Sequence, residues 1–278
     1  GKGMRIHVNG VHYRVETGGE GAELLLLHGF TGSASTWRPF LPSWSRRFRV
    51  IAVDVLGHGQ SDAPQDPTRY STECAVRDLA QLLDQLEVRQ AHLLGYSMGG
   101  RLALSFAMMQ PERVRSLILE SCSPGLATAE ERAERVRSDE ALAARIEREG
   151  IERFVDYWEN IPLFHSMRRL PEDVRLAIRR QRQANSPCGL AGSLRGMGTG
   201  AQPSWWDRLT KLAMPVQLIV GELDGKFTEI GRRMRELIPD CRLVEVENAG
   251  HAVHVERADF FDTIVMDFLS TIDQERMA

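Results

Sequence analysis

The sequence predicts an α/β protein, a mostly parallel sheet flanked by helices with a helical insertion in its second half. Short apolar runs rich in Leu, Ile and Val alternate with helical stretches over the first 121 residues, and the rhythm returns near the end. Runs that are apolar at every position suit strands covered on both faces. Between these two regions, residues 123–212 hold no strand signal, and their charge is dense but balanced.

The elements follow in order. Gly1-Lys2-Gly3 ahead of Met4 reads as an appended leader outside the fold. Arg5–Val8 and Tyr13–Glu16 flank Asn9-Gly10, a hairpin signal. Leu24–Leu27, Val50–Val53, Ala91–Leu94 and Ser116–Leu119 read as buried strands, with helices over Thr72–Leu86 and Met98–Met109. Late in the chain, Val216–Val220 and Leu243–Val246 are strands, and Phe227–Leu237 and Ala258–Leu269 are helices. In the insertion, Ala129–Arg148, Ile151–Glu159, Glu172–Ala184 and Gly189–Arg195 read as helices, punctuated by Pro162, Pro171 and Pro187. The division expected is therefore 1–122 and 213–278 as the two parts of one core, with 123–212 inserted.

Composition sets the bounds. With 42% hydrophobic and 26% charged residues over 278, the chain is no disordered tail, collagen or coiled coil. A net charge of -3 gives no positive field for nucleic acid or an anionic membrane. Leu24–Leu27 is the longest aliphatic run, far short of the ~20 residues of a membrane span. No signal peptide is evident. Cys74, Cys122, Cys188 and Cys241 are widely spaced and form no Cys-x-x-Cys pair, which excludes a zinc ribbon or dithiol site. They read as buried, reduced thiols of a cytoplasmic protein.

Gly95-Tyr96-Ser97-Met98-Gly99-Gly100 carries the chemistry. It follows a strand and opens a helix, the context of a G-x-S-x-G turn that lifts serine above the sheet. Glycines 95 and 99 remove side chains that would clash there. A serine needs an activating partner. Asp224 follows the strand Val216–Val220 and His251 follows Leu243–Val246, so both fall at the carboxyl edge of the sheet beside Ser97. His251 would accept the Ser97 proton while Asp224 fixes its tautomer. Glu222 is an alternative acid, nearer the strand end, and His254 an alternative base, although Gly250-His251 fits a tight turn better. Phe30, in His28-Gly29-Phe30, and Met98 are placed to give the two backbone N–H groups of an oxyanion hole. Gly57-His58-Gly59-Gln60-Ser61 reads as a structural turn.

Together these elements resemble the α/β-hydrolase family over the whole chain. The resemblance implies an eight-stranded sheet and an inserted helical lid. Finer motifs are similar to the 2-succinyl-6-hydroxy-2,4-cyclohexadiene-1-carboxylate synthase family of menaquinone biosynthesis. They are Gly95–Arg101, Glu120-Ser121-Cys122-Ser123-Pro124-Gly125-Leu126, Arg180–Asn185, Gln202-Pro203-Ser204 and Gly221–Phe227. That resemblance implies a lyase that eliminates pyruvate from a cyclohexene bearing several carboxylates. Ser97, His251 and Asp224 would work with serine as a base, without metal or organic cofactor. By the same resemblance Tyr96, Arg101, Arg135, Trp158 and Arg182 bind substrate. Arginine suits that role, because its planar fork grips carboxylates bidentately. The competing expectation for the insertion arginines is a solvated helix face, with Glu131 paired to Arg135 and Arg145 at the surface. The expected partner is a small polycarboxylate and the expected state a monomer. A carboxylesterase or carbon–carbon hydrolase with the same triad is the alternative activity, and a receptor retaining the fold is a non-enzymatic one.

Overall fold

The computed structural model describes residues 2–277. Among them, eight strands form one sheet: β1 (Lys2–Val8), β2 (Val11–Gly18), β3 (Ala22–Leu27), β4 (Phe48–Val53), β5 (Ala91–Tyr96), β6 (Val114–Glu120), β7 (Val216–Gly221) and β8 (Cys241–Val246). Their spatial order is β1-β2-β4-β3-β5-β6-β7-β8. The β1–β2 pair and the β2–β4 pair are antiparallel, and every later pairing is parallel. At the hairpin turn Asn9 (φ 48°) and Gly10 (φ 85°) both take the left-handed conformation that matches strand twist. Strand β1 starts at Lys2, with Lys2 and Gly3 paired to Thr17 and Glu16. A ladder needs only backbone N–H and C=O groups, which these residues supply whatever their side chains.

Ten helices accompany the sheet among the described residues: α1 (Leu41–Trp44), α2 (Thr72–Gln85), α3 (Met98–Met109), α4 (Ala129–Glu149), α5 (Ile151–Trp158), α6 (Glu172–Gln183), α7 (Pro187–Met197), α8 (Gly225–Leu237), α9 (Val253–Glu256) and α10 (Ala258–Met277). The run Leu24–Leu27 shows why strand residues are apolar at every position. Leu25 and Leu27 face a core built with Leu82, Leu102, Phe106 and Met234. Leu24 and Leu26 face a second core with Trp37, Trp44, Phe261 and Phe268. Each fully buried leucine contributes about 1.5–3 kcal/mol by burial, so both faces are needed to hold the sheet.

Between β6 and β7 the chain leaves the sheet for α4 to α7. Thr128 and Glu131 form a capping box at the start of α4, and Gly150 (φ 88°) ends it. Ala143, Ile146, Phe154, Leu190 and Leu194 make a small separate core. A 3-10 stretch, Pro162–Arg169, stands where the sequence suggested only a proline-punctuated link. Helix α7 is seated on the main body so closely that a Cβ on Gly189 would stand 2.1 Å from the carbonyl oxygen of Gly57. That contact gives Gly57-His58-Gly59 its structural role. Of the four cysteines only Cys122 is buried; Cys74, Cys188 and Cys241 are half-buried, because amphipathic elements place them at core margins.

Candidate active site

Ser97 sits between β5 and α3 at φ 52°, ψ -111°, a backbone conformation that costs on the order of 1–3 kcal/mol for a non-glycine residue. Its neighbours explain how the strain is held. A Cβ on Gly95 would meet the Gly99 oxygen at 2.2 Å, and one on Gly99 would meet the Leu27 oxygen at 2.1 Å. A Cβ on Gly100 would stand 2.7 Å from Cys122 Cβ. The Ser97 N–H donates to the Glu120 oxygen at 2.9 Å, which fixes the turn to β6.

His251 Nε2 lies 3.1 Å from Ser97 Oγ, and His251 Nδ1 lies 2.8 Å from Asp224 Oδ2. The histidine and the aspartate are both buried. The two alternatives are committed elsewhere. Glu222 Oε1 accepts the Asn248 N–H at 2.7 Å. His254 Nδ1 is 2.8 Å from the fully buried Glu120 carboxylate. Nothing in the sequence linked Glu120 to His254, since the pair closes across 134 residues.

The Phe30 loop is fixed by His28. Its Nδ1 donates to the Gly29 oxygen (2.7 Å), and its Nε2 accepts the Val55 N–H (3.0 Å). Burial pushes His28 down to about 4, so the ring is neutral, as this bonding requires. From α6 and its C-terminal edge, Gln181 reaches Ser33, Ser35 and Thr36, and Asn185 Nδ2 donates to the Thr31 oxygen at 2.7 Å. Phe30 and Met98 line the same cavity as Ser97.

That cavity measures about 880 Å³. Ser97, His251, Arg101, Arg135 and Trp158 line it, with Asp224 behind the histidine. Both Nη1 hydrogens of Arg101 are taken, by the Met197 oxygen (2.7 Å) and Gln202 Oε1 (2.8 Å). Burial, reinforced by the nearby Arg135 charge, pushes Arg101 down to about 10. The Trp158 Nε1 is buried without a hydrogen-bond partner. Two expectations are corrected. Arg135 pairs with Asp139 (3.2 Å), one turn on, because Glu131 serves the α4 cap. Arg145 is at the cavity wall, over the Tyr157 ring at 4.2 Å and paired with Glu149. Tyr96 and Arg182 are not among the lining residues. The Tyr96 ring packs between His251 and His254, and Arg182 is buried 4.7 Å over the Phe164 ring. Both belong to a layer behind the aromatic wall that Phe164 shares with Trp158.

The insertion also grips the histidine loop. Arg169 donates to the backbone and side-chain oxygens of Asn248 and reaches the buried Glu256 carboxylate (3.3 Å), which accepts the Gly250 N–H at 3.1 Å. Gly250 lies directly under Ser166, where a Cβ would meet its Oγ at 2.0 Å.

A strained serine between strand and helix, with histidine and acid after the last two strands, defines a class. The chain belongs to the α/β hydrolase fold family, whose model matches residues 23–258. More particularly, it is 51% identical over 95% of its length to a Bacillus subtilis protein provisionally assigned as 2-succinyl-6-hydroxy-2,4-cyclohexadiene-1-carboxylate synthase, covering 97% of that protein. It is 33% identical to the synthase of that name from Klebsiella pneumoniae, over 83% of this chain and 87% of the other. Among solved structures, MenH from S. aureus superposes with a TM-score of 0.90 at 36% identity, over 94% of this chain and 98% of that one. Among the described residues, no helix is long and apolar enough to cross a membrane.

Proposed function

We propose that this chain is a 2-succinyl-6-hydroxy-2,4-cyclohexadiene-1-carboxylate synthase, releasing pyruvate from the 5-enolpyruvyl cyclohexene precursor. One observation supports this above the rest. The cavity that holds Ser97 is lined by Arg101, Arg135, Arg145, Lys226 and Arg233 against only Glu131 and Asp139, and Arg101 is bonded within the protein only to neutral acceptors, as a multiply charged anion needs. His251 takes the Ser97 proton and Asp224 steadies the resulting imidazolium. Ser97 then removes the ring proton beside the succinyl ketone. The N–H groups of Phe30 and Met98 hold the enolate oxygen as charge develops. The electron pair passes through the ring double bond and expels the enolpyruvyl group, which leaves as pyruvate enolate and is protonated. Arg101, Arg135 and Trp158 bind substrate carboxylates, while Tyr96 and Arg182 hold the wall behind them. Residues 123–212 act as the lid of this cavity. The same reading makes the protein a monomeric cytoplasmic enzyme.

The test compares purified protein on two substrates. Pyruvate release from the cyclohexene, with little turnover of simple aryl esters, is the expected result. Rapid ester hydrolysis with no pyruvate would make the chain an esterase instead.

A further inference from the structure

The substrate of the proposed reaction carries three carboxylates: one on the ring, one on the succinyl arm and one on the enolpyruvyl group. With Arg182 behind the wall, Arg101 and Arg135 alone of the expected arginines reach the cavity, and Arg135 is already shared with Asp139. Helix α8 supplies further cations. Lys226, Ile230 and Arg233 all line the cavity. Positions 226 and 233 are seven residues apart, about two turns, so they share one face of the helix.

Their surroundings suit an anion. Among the described residues, no carboxylate stands within ion-pair distance of either side chain. The neighbouring Arg232, in contrast, is spent on a fork with Glu245 at 2.6 and 2.9 Å. The Arg233 guanidinium lies 4.5 Å over the Trp206 ring, whose Nε1 donates to the Gly125 oxygen at 2.9 Å. The planar cation is thus held on a fixed shelf. Lys226 is exposed at the edge of the cavity, where partial desolvation and the nearby Arg135 charge lower its proton affinity while Asp224 opposes them. An anion arriving between them would relieve the repulsion.

We propose that Lys226 and Arg233 form a carboxylate subsite on the α8 wall, taking one carboxylate of the tricarboxylate substrate. The assignment rests on the synthase reading, so the experiment separates the two. Lys226→Met, Arg233→Met and the control Arg232→Gln are compared by KM for pyruvate release. They are also compared by succinate binding, followed through tryptophan fluorescence. Each of the first two should raise KM and the succinate Kd roughly five- to tenfold, the range between an exposed ion pair and a charge-assisted bond. Lys226→Arg should restore most of the loss, and Arg232→Gln should change neither. KM and Kd within twofold of wild type in both Met variants would overturn the subsite, as would a wild-type protein that binds no succinate. Weakened succinate binding in a protein that releases no pyruvate would uphold the subsite and overturn the synthase reading.

Discussion

Arg101→Met separates recognition from stability at one position. The substitution removes a cation from the cavity wall and leaves two acceptors, the Met197 oxygen and Gln202 Oε1, without their donor. Gln202 is buried, and each stranded acceptor costs about 1–3 kcal/mol. An opposing effect has the same size. Burial and the Arg135 charge bring Arg101 from 12.5 to about 10, which marks roughly 3 kcal/mol of unfavourable charge confinement that Met relieves. The net change in unfolding free energy should therefore be small. Catalysis has no such offset. Nε and Nη2 are the donors left for a ligand, and a charge-assisted bond contributes ~1.5–3 kcal/mol, roughly ten- to a hundredfold in kcat/KM. The assay pairs pyruvate-release kinetics with urea unfolding and repeats both for Arg232→Ala, whose pair with Glu245 is solvent-exposed and should change neither. Arg101→Met should lose activity on the charged substrate while retaining turnover of a neutral aryl ester. A loss below about threefold, or an equal loss on both substrates, would refute the role.

Ser97→Ala and His251→Ala should each lower kcat by a factor on the order of 10³ or more, and the double variant should be little worse than either, since the two work as one unit. Losses that multiply would show independent roles. Mass spectrometry of protein quenched during turnover should show no adduct on Ser97, and an acyl group there would favour covalent hydrolysis. His28 titrates near 4 in the fold against 6.5 when free, and His58 near 3, both lowered chiefly by burial. The unfolded chain then binds more protons, so stability is full above pH 6.5 and falls as pH drops toward 4. Between pH 7 and 5 the loss should be about 2 kcal/mol for each histidine, read by urea unfolding. A flat profile over that range would mean that these rings are not held neutral.

Local pattern made much of this molecule legible. Continuous apolar runs marked the buried strands, and Gly95-x-Ser97-x-Gly99 between strand and helix marked the serine turn, because the chemistry of that turn is written in adjacent residues. Asp224 and His251 were legible for a related reason: each follows a strand whose end the sheet brings to one edge. What escaped depends on contacts between distant segments. The Glu120–His254 pair, the retreat of Arg182 behind Phe164 and the arrival of Arg145 and Arg233 at the cavity depend on how the insertion docks, and helical spacing alone does not encode that. The 3-10 stretch Pro162–Arg169 escaped because its short turns carry no sustained apolar period.

The grip of that stretch on the histidine loop limits how the cavity gains a visitor. Arg169, through Asn248 and Glu256, ties it to the residues just before His251, and Ser166 covers Gly250 with no room to spare. If this stretch swung outward, the Glu256 carboxylate would lose its cation while still enclosed, and the loop carrying His251 would lose its cover. Swinging it aside would therefore disarm the general base. Helix α8 stands by the same residue, with Asp224 as its N-cap and the Phe227 ring 4.8 Å from that of His251. The catalytic histidine is thus clasped from two directions, by the Pro162–Arg169 stretch through its loop and by the start of α8 through its ring.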